Sequence, residues 1–150
     1  MISYEINRNT LALIPIDEEQ TKIIEKNRKF IINNNIMDII KRSCEYFGSS
    51  YVGRKEGTRR LTGITHKSPI IIEETNNMIY FPTESPRLNT CSWISFNNIK
   101  KIINNNGKAI IIFDNDKVLK LNISYYTLDN QILRSSKLDS VLRKRLNTVF

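Results

Sequence analysis

The segment between residues 108 and 123 has the pattern of a β-hairpin, which limits the folds open to this chain. Apolar residues alternate with lysine and asparagine along its second half, and Asp114, Asn115 and Asp116 separate the two halves. Strict alternation places one face of a strand on a core and the other in water, and Asp and Asn favour tight turns. Because an isolated hairpin is barely stable, the segment predicts a larger antiparallel sheet.

Short apolar runs continue this pattern through most of the chain. Polar or turn-forming residues interrupt each run after a few positions, which is too short for a typical helix. The runs predict strands at residues 2–6, 10–16, 21–25, 29–32, 61–65, 69–72, 78–81, 92–96 and 99–103. Turn-like residues 7–9 join the first two runs, so these two are candidates for another hairpin.

Two other segments have the apolar spacing of a helix. In the first, about 36–46, apolar residues recur at three and four after asparagines 33–35, which can cap a helix, and Gly48 can end it. In the second, about 126–148, leucines recur at the same spacing with arginine and lysine between them. We therefore expect an α+β fold, mostly antiparallel β-sheet with one internal helix and a C-terminal helix, and residues 1–150 as a single domain.

Residues 48–60 contain three glycines and four cations, and they predict a basic, flexible loop. The wider stretch 41–67 has seven cations against two acids, in a chain whose net charge is +8. Lysine and arginine on such a loop can bind the phosphates of a polyanion. The cations are Lys41, Arg42, Arg54, Lys55, Arg59, Arg60 and Lys67. The alternative, a solvated surface loop with no ligand, fits the charge equally well.

The sequence argues against a membrane or an exported protein. No apolar run approaches the ~18 residues that a bilayer-spanning helix needs, and the N-terminus has no basic region followed by an apolar one. Two cysteines, Cys44 and Cys91, do not make a disulfide framework. We therefore expect a cytoplasmic protein with reduced thiols.

The residue inventory gives little support to metal binding or catalysis. The one histidine, His66, and the two cysteines lack the paired spacing of a structural zinc site. Cys44 lies on the apolar face of a predicted helix, whereas Cys91 begins a predicted strand and could be accessible to a substrate. A nucleophile at Cys91 assisted by His66 stays an alternative, but we predict no catalytic residue, no metal and no cofactor.

A series of short motifs resembles one known family. They are Ser43-Cys44, Phe47–Thr58 (FGSSYVGRKEGT), Ile64–Ile70 (ITHKSPI), Phe81-Pro82-Thr83, Cys91–Ser95 (CSWIS), Ile123-Ser124-Tyr125 and Asn130-Gln131. In this order they are similar to the competence transcription factor (ComK) family, and the resemblance extends over about residues 3–140. The stretch 43–70 is its most specific part.

The resemblance implies a cytoplasmic transcriptional activator that switches on genes for DNA uptake. The family binds paired A/T-rich boxes in double-stranded promoter DNA, largely from the minor groove. The resemblance also implies a homodimer or higher homo-oligomer, with RNA polymerase as a further partner. Whether residues 138–146 pack on the sheet or on a second subunit stays open at this point.

Within the stretch 41–67, charge and loop chemistry indicate which residues contact DNA and how. We expect Arg54, Arg59 and Arg60 to enter the narrow, electronegative minor groove of A/T-rich DNA. The other four cations, Lys41, Arg42, Lys55 and Lys67, are expected to hold phosphates. The alternative function is non-specific binding of DNA or RNA without activation.

The C-terminus departs from the family pattern. Better-known members continue for some tens of residues beyond the position of Phe150 and carry there the element that a proteolytic adaptor recognises. We therefore expect a short form of the family, for which control by that adaptor is not expected.

Overall fold

The computed structural model describes residues 3–147, which contain nine strands and three helices. The strands are β1 (Thr10–Pro15), β2 (Thr21–Glu25), β3 (Lys29–Ile32), β4 (Ile70–Glu73), β5 (Met78–Pro82), β6 (Trp93–Ser95), β7 (Ile99–Asn105), β8 (Lys108–Phe113) and β9 (Val118–Ser124). The helices are α1 (Ile36–Tyr46), α2 (Tyr51–Thr62) and α3 (Tyr125–Leu146). Two ends of predicted elements, Ile2 and Thr148, lie outside the described residues. No helix within 3–147 is long and apolar enough to cross a membrane.

Six strands form one antiparallel sheet in the order β3-β2-β1-β6-β5-β4. β1 lies near its centre, where Ala12 pairs with Ile94 and Leu13 with Trp93 of β6. All four of these residues are fully buried, because both faces of the sheet are covered by other parts of the chain.

Different layers cover the two faces of this sheet. On the first face, Ile39 and Ile40 of α1 pack in one core with Trp93. On the second face lies a three-stranded antiparallel sheet in the order β7-β8-β9, together with α3. Ile111 of β8 and Leu128 of α3 belong to that second core. The six-stranded sheet therefore separates α1 from the three-stranded sheet.

The second half of α3 packs on the edge of the six-stranded sheet. Leu138 and Leu142 form a buried cluster with Ile71 of β4 and Ile79 of β5. Leu146, at the end of the helix, is 58% exposed. The first two leucines therefore serve the core of this chain rather than a contact between subunits.

The predicted α+β fold with mostly antiparallel sheet is confirmed. The hairpin predicted at 108–123 is formed by β8 and β9, whose residues pair from Ile110–Lys120 to Ile112–Val118. Along β9, alternate residues are exposed, and the residues between them pack on the core, as the sequence pattern predicts.

Two predicted strands are wrong. Residues 3–6 form no strand, so the first predicted hairpin does not exist, and β1 pairs with β2 and β6 instead. Tyr4 and Ile6 are nevertheless buried. The Ile6 N–H donates to Ser43 Oγ at 2.9 Å, so this buried group is satisfied without a strand partner. Residues 61–65 contain the end of α2 and a loop.

The prediction of a flexible loop at 48–60 is also wrong, because residues Tyr51–Thr62 form α2. Residues 3–147 therefore contain two internal helices rather than one. Ser50 caps the helix, since its hydroxyl accepts a hydrogen bond from the Gly53 N–H at 2.9 Å. Gly63 ends it in the left-handed conformation, with φ of 80°.

Candidate nucleic-acid interface

A groove lined by cations opens between α1, α2 and two loops. Its cations are Lys41 of α1, Lys55 of α2, Lys67 of the loop after α2 and Arg87 of the loop between β5 and β6. The other lining residues are Met37, Tyr51, Thr65, His66, Ser68, Ser85 and Pro86. No acidic side chain of residues 3–147 lines this cationic groove, whose volume is about 650 Å³. Its electrostatic potential is therefore positive.

The two helices hold Lys41 and Lys55 at the surface. Lys41 is exposed, while the preceding Ile40 is buried against the six-stranded sheet. The Lys55 ammonium lies 5.2 Å from the ring centroid of Tyr51, and that ring packs edge-on against Trp93 with centroids 6.2 Å apart. Burial raises the pKa of Tyr51 to about 12, so its hydroxyl stays a neutral hydrogen-bond donor at physiological pH.

Side chains of α3 hold the loop that carries Lys67. The buried Gln131 amide donates to the Lys67 carbonyl at 2.9 Å and to the Pro82 carbonyl at 2.7 Å. Arg134 donates to the same Lys67 carbonyl at 3.3 Å and also to the His66 carbonyl. Lys67 itself has a left-handed backbone, with φ of 48°. These bonds fix the loop, so the position of Lys67 in the groove does not depend on a flexible segment.

The structure brings together three of the seven predicted cations, Lys41, Lys55 and Lys67. It adds Arg87, which the sequence analysis missed. No local signal marks Arg87, because β4 and β5 separate it in sequence from the other cations. His66, considered above as a catalytic residue, lies in the same groove.

Arg42 and Arg54 lie outside the groove and are half-buried. The Arg54 side chain is 16% exposed, and its Nη1 lies 3.1 Å from Glu74 Oε1. Arg42 is half-buried, and its Nη1 is a buried atom with no hydrogen-bond partner within residues 3–147. Arg54 lies on α2 and not on the flexible loop that the sequence predicts, whereas Arg42 lies on α1, where the sequence predicts a helix.

Arg59 and Arg60 are exposed on α2 and share one acid. The Arg59 Nε donates to Glu56 Oε2 at 3.0 Å, and the Arg60 Nε lies 3.4 Å from Glu56 Oε1. The hydrogen bond from Arg59 holds the pKa of Glu56 below its ordinary value, so this carboxylate is ionised at neutral pH. Exposed pairs of this kind contribute little stability, and both arginines can exchange Glu56 for another anion.

The two cysteines are buried, and the interpretation of Cys91 as accessible is wrong. Cys44 is 0% and Cys91 1% exposed, and burial raises the pKa of each thiol to about 11. No group of three or more His, Cys, Asp or Glu side chains in residues 3–147 is arranged to hold a metal ion. Both thiols therefore act as small apolar groups of the core.

We expect the native protein to react very slowly with a thiol reagent at neutral pH. The thiolate is the reactive form, and a pKa of about 11 leaves almost none of it while the core also excludes the reagent. Time-resolved titration with an aromatic disulfide measures this, and unfolding in denaturant should release two reactive thiols per chain. A fast phase in the native protein would contradict the burial of Cys91.

Comparisons with known proteins identify the family of this chain. A family model described as ComK protein matches residues 1–147. The chain is 38% identical over 149 residues to the competence transcription factor of Bacillus subtilis (strain 168), covering 97% of this chain and 78% of that protein. No solved structure matches. On the extent of the family match and this identity, the chain belongs to the ComK family.

Proposed function

We propose that this protein is a DNA-binding transcriptional activator that binds A/T-rich promoter boxes, largely through the minor groove, and switches on genes for DNA uptake. Family membership supports DNA-binding regulation, since a relative at 38% identity is a competence transcription factor. The observation that carries the proposal is the cationic groove, where cations from separate parts of the chain converge without an acid. Such a surface favours a polyanion.

The groove holds the sugar–phosphate backbone. Lys41, Lys55, Lys67 and Arg87 each replace condensed counterions of the duplex, and the release of those ions drives binding. The groove also offers hydroxyl groups to phosphate oxygens, those of Tyr51, Thr65, Ser68 and Ser85. These contacts set the position of the protein on the DNA and carry no sequence information themselves.

Preference for A/T-rich DNA comes from the shape of the minor groove. A-tracts have a narrow groove whose strong negative potential attracts arginine. Arg59 and Arg60 lie on α2 about one turn beyond Lys55. Both can leave Glu56 and enter the minor groove of the DNA. Arg42 adds to the same positive potential from a half-buried position, whereas Glu74 offsets the charge of Arg54.

The remaining features of the proposal concern assembly. Residues 1–150 act as one DNA-binding domain, and a homodimer or higher homo-oligomer lets two cationic grooves engage two successive boxes. The protein works in the cytoplasm, where RNA polymerase is the partner that an activator needs. None of this requires a cofactor or a catalytic residue.

The test is fluorescence-anisotropy binding to two labelled duplexes of equal length. One duplex carries two A/T boxes a helical turn apart, and the other has a G/C-rich sequence, each titrated over a series of salt concentrations. We expect selective binding to the A/T duplex that persists near physiological salt. Equal, salt-labile binding to both duplexes would overturn the proposal and indicate a general electrostatic binder of nucleic acid.

A further inference from the structure

The outer face of the three-stranded sheet has an unusual composition. Strand pairing and alternation place nine side chains on it, in three rows across the sheet. The rows are Lys101, Ile112 and Val118, then Ile103, Ile110 and Lys120, and last Asn105, Lys108 and Asn122. We call these nine residues the outer sheet face; it has four aliphatic residues, three lysines, two asparagines and no acid.

The core does not explain these aliphatic residues. The opposite face of the same strands already supplies Ala109, Ile111 and Phe113 to the second core. On the outer sheet face, Val118 is 58% and Ile103 38% exposed. An antiparallel sheet with one buried face ordinarily turns polar residues outward, so apolar side chains on the solvent side indicate a contact surface.

The charge of the face selects a polyanion. Lys101 and Lys120 are exposed and form no ion pair within residues 3–147, while Lys108 donates to Asn122 Oδ1. In the adjoining turn, Asp116 is paired with Lys100 at 3.1 Å and is not part of the face. A second copy packed on this face would set lysines against lysines, which disfavours it as a dimer contact.

The hydrogen bond from Lys108 fixes the orientation of the Asn122 side-chain amide, and with it the group that can bind a ligand. An ammonium group only donates, so the amide oxygen must face Lys108, which leaves the Asn122 NH₂ group free to donate outward. The floor of the minor groove at A·T pairs presents only acceptors, adenine N3 and thymine O2. A G·C pair adds the guanine N2 amino group, which also obstructs apolar side chains.

We propose that the outer sheet face is a second DNA-contacting surface, which lies on the minor groove of A/T-rich duplex. Lys101, Lys108 and Lys120 hold phosphates, and Asn105 and Asn122 donate to the acceptors on the groove floor. The exposed aliphatic side chains pack on sugars and base edges, as in other proteins that use a sheet or apolar wedges in the minor groove. This inference rests on the proposed function and assigns a further part of its specificity.

The two surfaces face opposite sides of the molecule. α1 contributes to the cationic groove and covers one face of the six-stranded sheet, whereas the three-stranded sheet covers the other. We therefore expect a protomer to engage two segments of DNA, either along one bent duplex or on two duplexes.

Two variants test the outer sheet face, with a third as a matched control. The first replaces Lys101, Lys108 and Lys120 with alanine, and the second is Asn105→Ala with Asn122→Ala. The control is Ile31→Ser with Leu133→Ser, two exposed apolar residues outside both surfaces. All replaced side chains are exposed, so circular dichroism and thermal unfolding should match the unmodified protein.

Binding is measured with three duplexes that differ in their boxes: A·T, G·C, and inosine·cytosine, which keeps the minor-groove pattern of A·T. The unmodified protein should bind the A·T and inosine duplexes alike and the G·C duplex more weakly. The lysine variant should lower the salt slope by roughly 0.9 per lysine, and the asparagine variant should lose about tenfold in preference for A·T.

Three other results would lead to different conclusions about the outer sheet face and the proposed function. If the unmodified protein prefers A·T boxes and neither variant changes binding, the outer sheet face does not contact DNA and the proposed function stands. If the unmodified protein shows no preference for A·T over G·C boxes, the proposed function is wrong, and this inference is wrong with it. Loss of transcription activation with unchanged DNA binding would overturn this inference in favour of a protein partner with acidic groups.

Discussion

A variant with alanine at Lys41, Lys55 and Lys67 should bind A/T-rich duplex DNA about 10²- to 10³-fold more weakly near 0.1 M salt. These three lysines share one groove without an acid, so each is expected to contribute one phosphate contact to the same duplex. The salt slope should fall by roughly 0.9 for each contact removed. Fluorescence anisotropy over a salt series measures both quantities, and the affinities should converge at high salt.

A charge-matched variant separates the groove from the overall charge of +8. Alanine at Lys22, Lys26 and Lys29 removes the same number of positive charges. These lysines lie on β2, on the turn after it and on β3, and none of them lines the groove. We expect this control to bind within a few-fold of the unmodified protein. Equal losses in the two variants would contradict the groove as a site and leave only the long-range field of the protein.

The helical form of α2 changes how the basic segment can act. A flexible loop would have to be ordered on DNA, and that ordering costs conformational entropy at each residue. In α2, Lys55 is already held beside the Tyr51 ring, and Lys67 is held through its carbonyl by α3. The cations of the groove are therefore in place before the proposed contact with DNA, which favours affinity by preorganisation.

The strands were largely predictable because alternation and turn residues are local signals. Residues 119–123 alternate between apolar and polar side chains, and they lie in β9, close to the predicted bounds of 117–123. The apolar run Ala109–Phe113 of β8 gave no such information, because aliphatic residues occupy both of its faces. The sequence therefore indicated a hairpin but not the outer sheet face, which depends on how three strands line up.

α2 was missed because its stability comes from distant contacts. Two glycines in its interior each disfavour a helix by about 1 kcal/mol, and the apolar period is weak. The fold offsets this through the buried Thr58 hydroxyl, which donates to the Pro69 carbonyl at 2.6 Å, and through the contact of Arg54 with Glu74. Such partners cannot be inferred from residues 48–60 alone.

The site could be predicted only in part, for a related reason. Lys41, Lys55 and Lys67, which line the groove, are predicted as contacts because charge concentrates along the sequence. The loop between β5 and β6 places Arg87 in the groove. Arg54 lies outside the groove and pairs with Glu74. Both outcomes follow from tertiary packing, which composition does not report.

Leu138→Ala should lower the free energy of unfolding by about 2–5 kcal/mol. The side chain is fully buried against Ile71 and Ile79, so its truncation leaves a cavity between α3 and the edge of the six-stranded sheet. Denaturant unfolding followed by circular dichroism measures the change. A loss of this size is a large fraction of the stability of an ordinary domain.

The matched control is Leu133→Ala on the same helix. Leu133 is 61% exposed, so its replacement should change stability by less than about 0.5 kcal/mol. Sedimentation of both variants then decides the role of the α3 leucines, because Leu138→Ala should leave the association state of the folded protein unchanged. A shift to a lower oligomer with unaltered unfolding would instead place Leu138 at a contact between subunits.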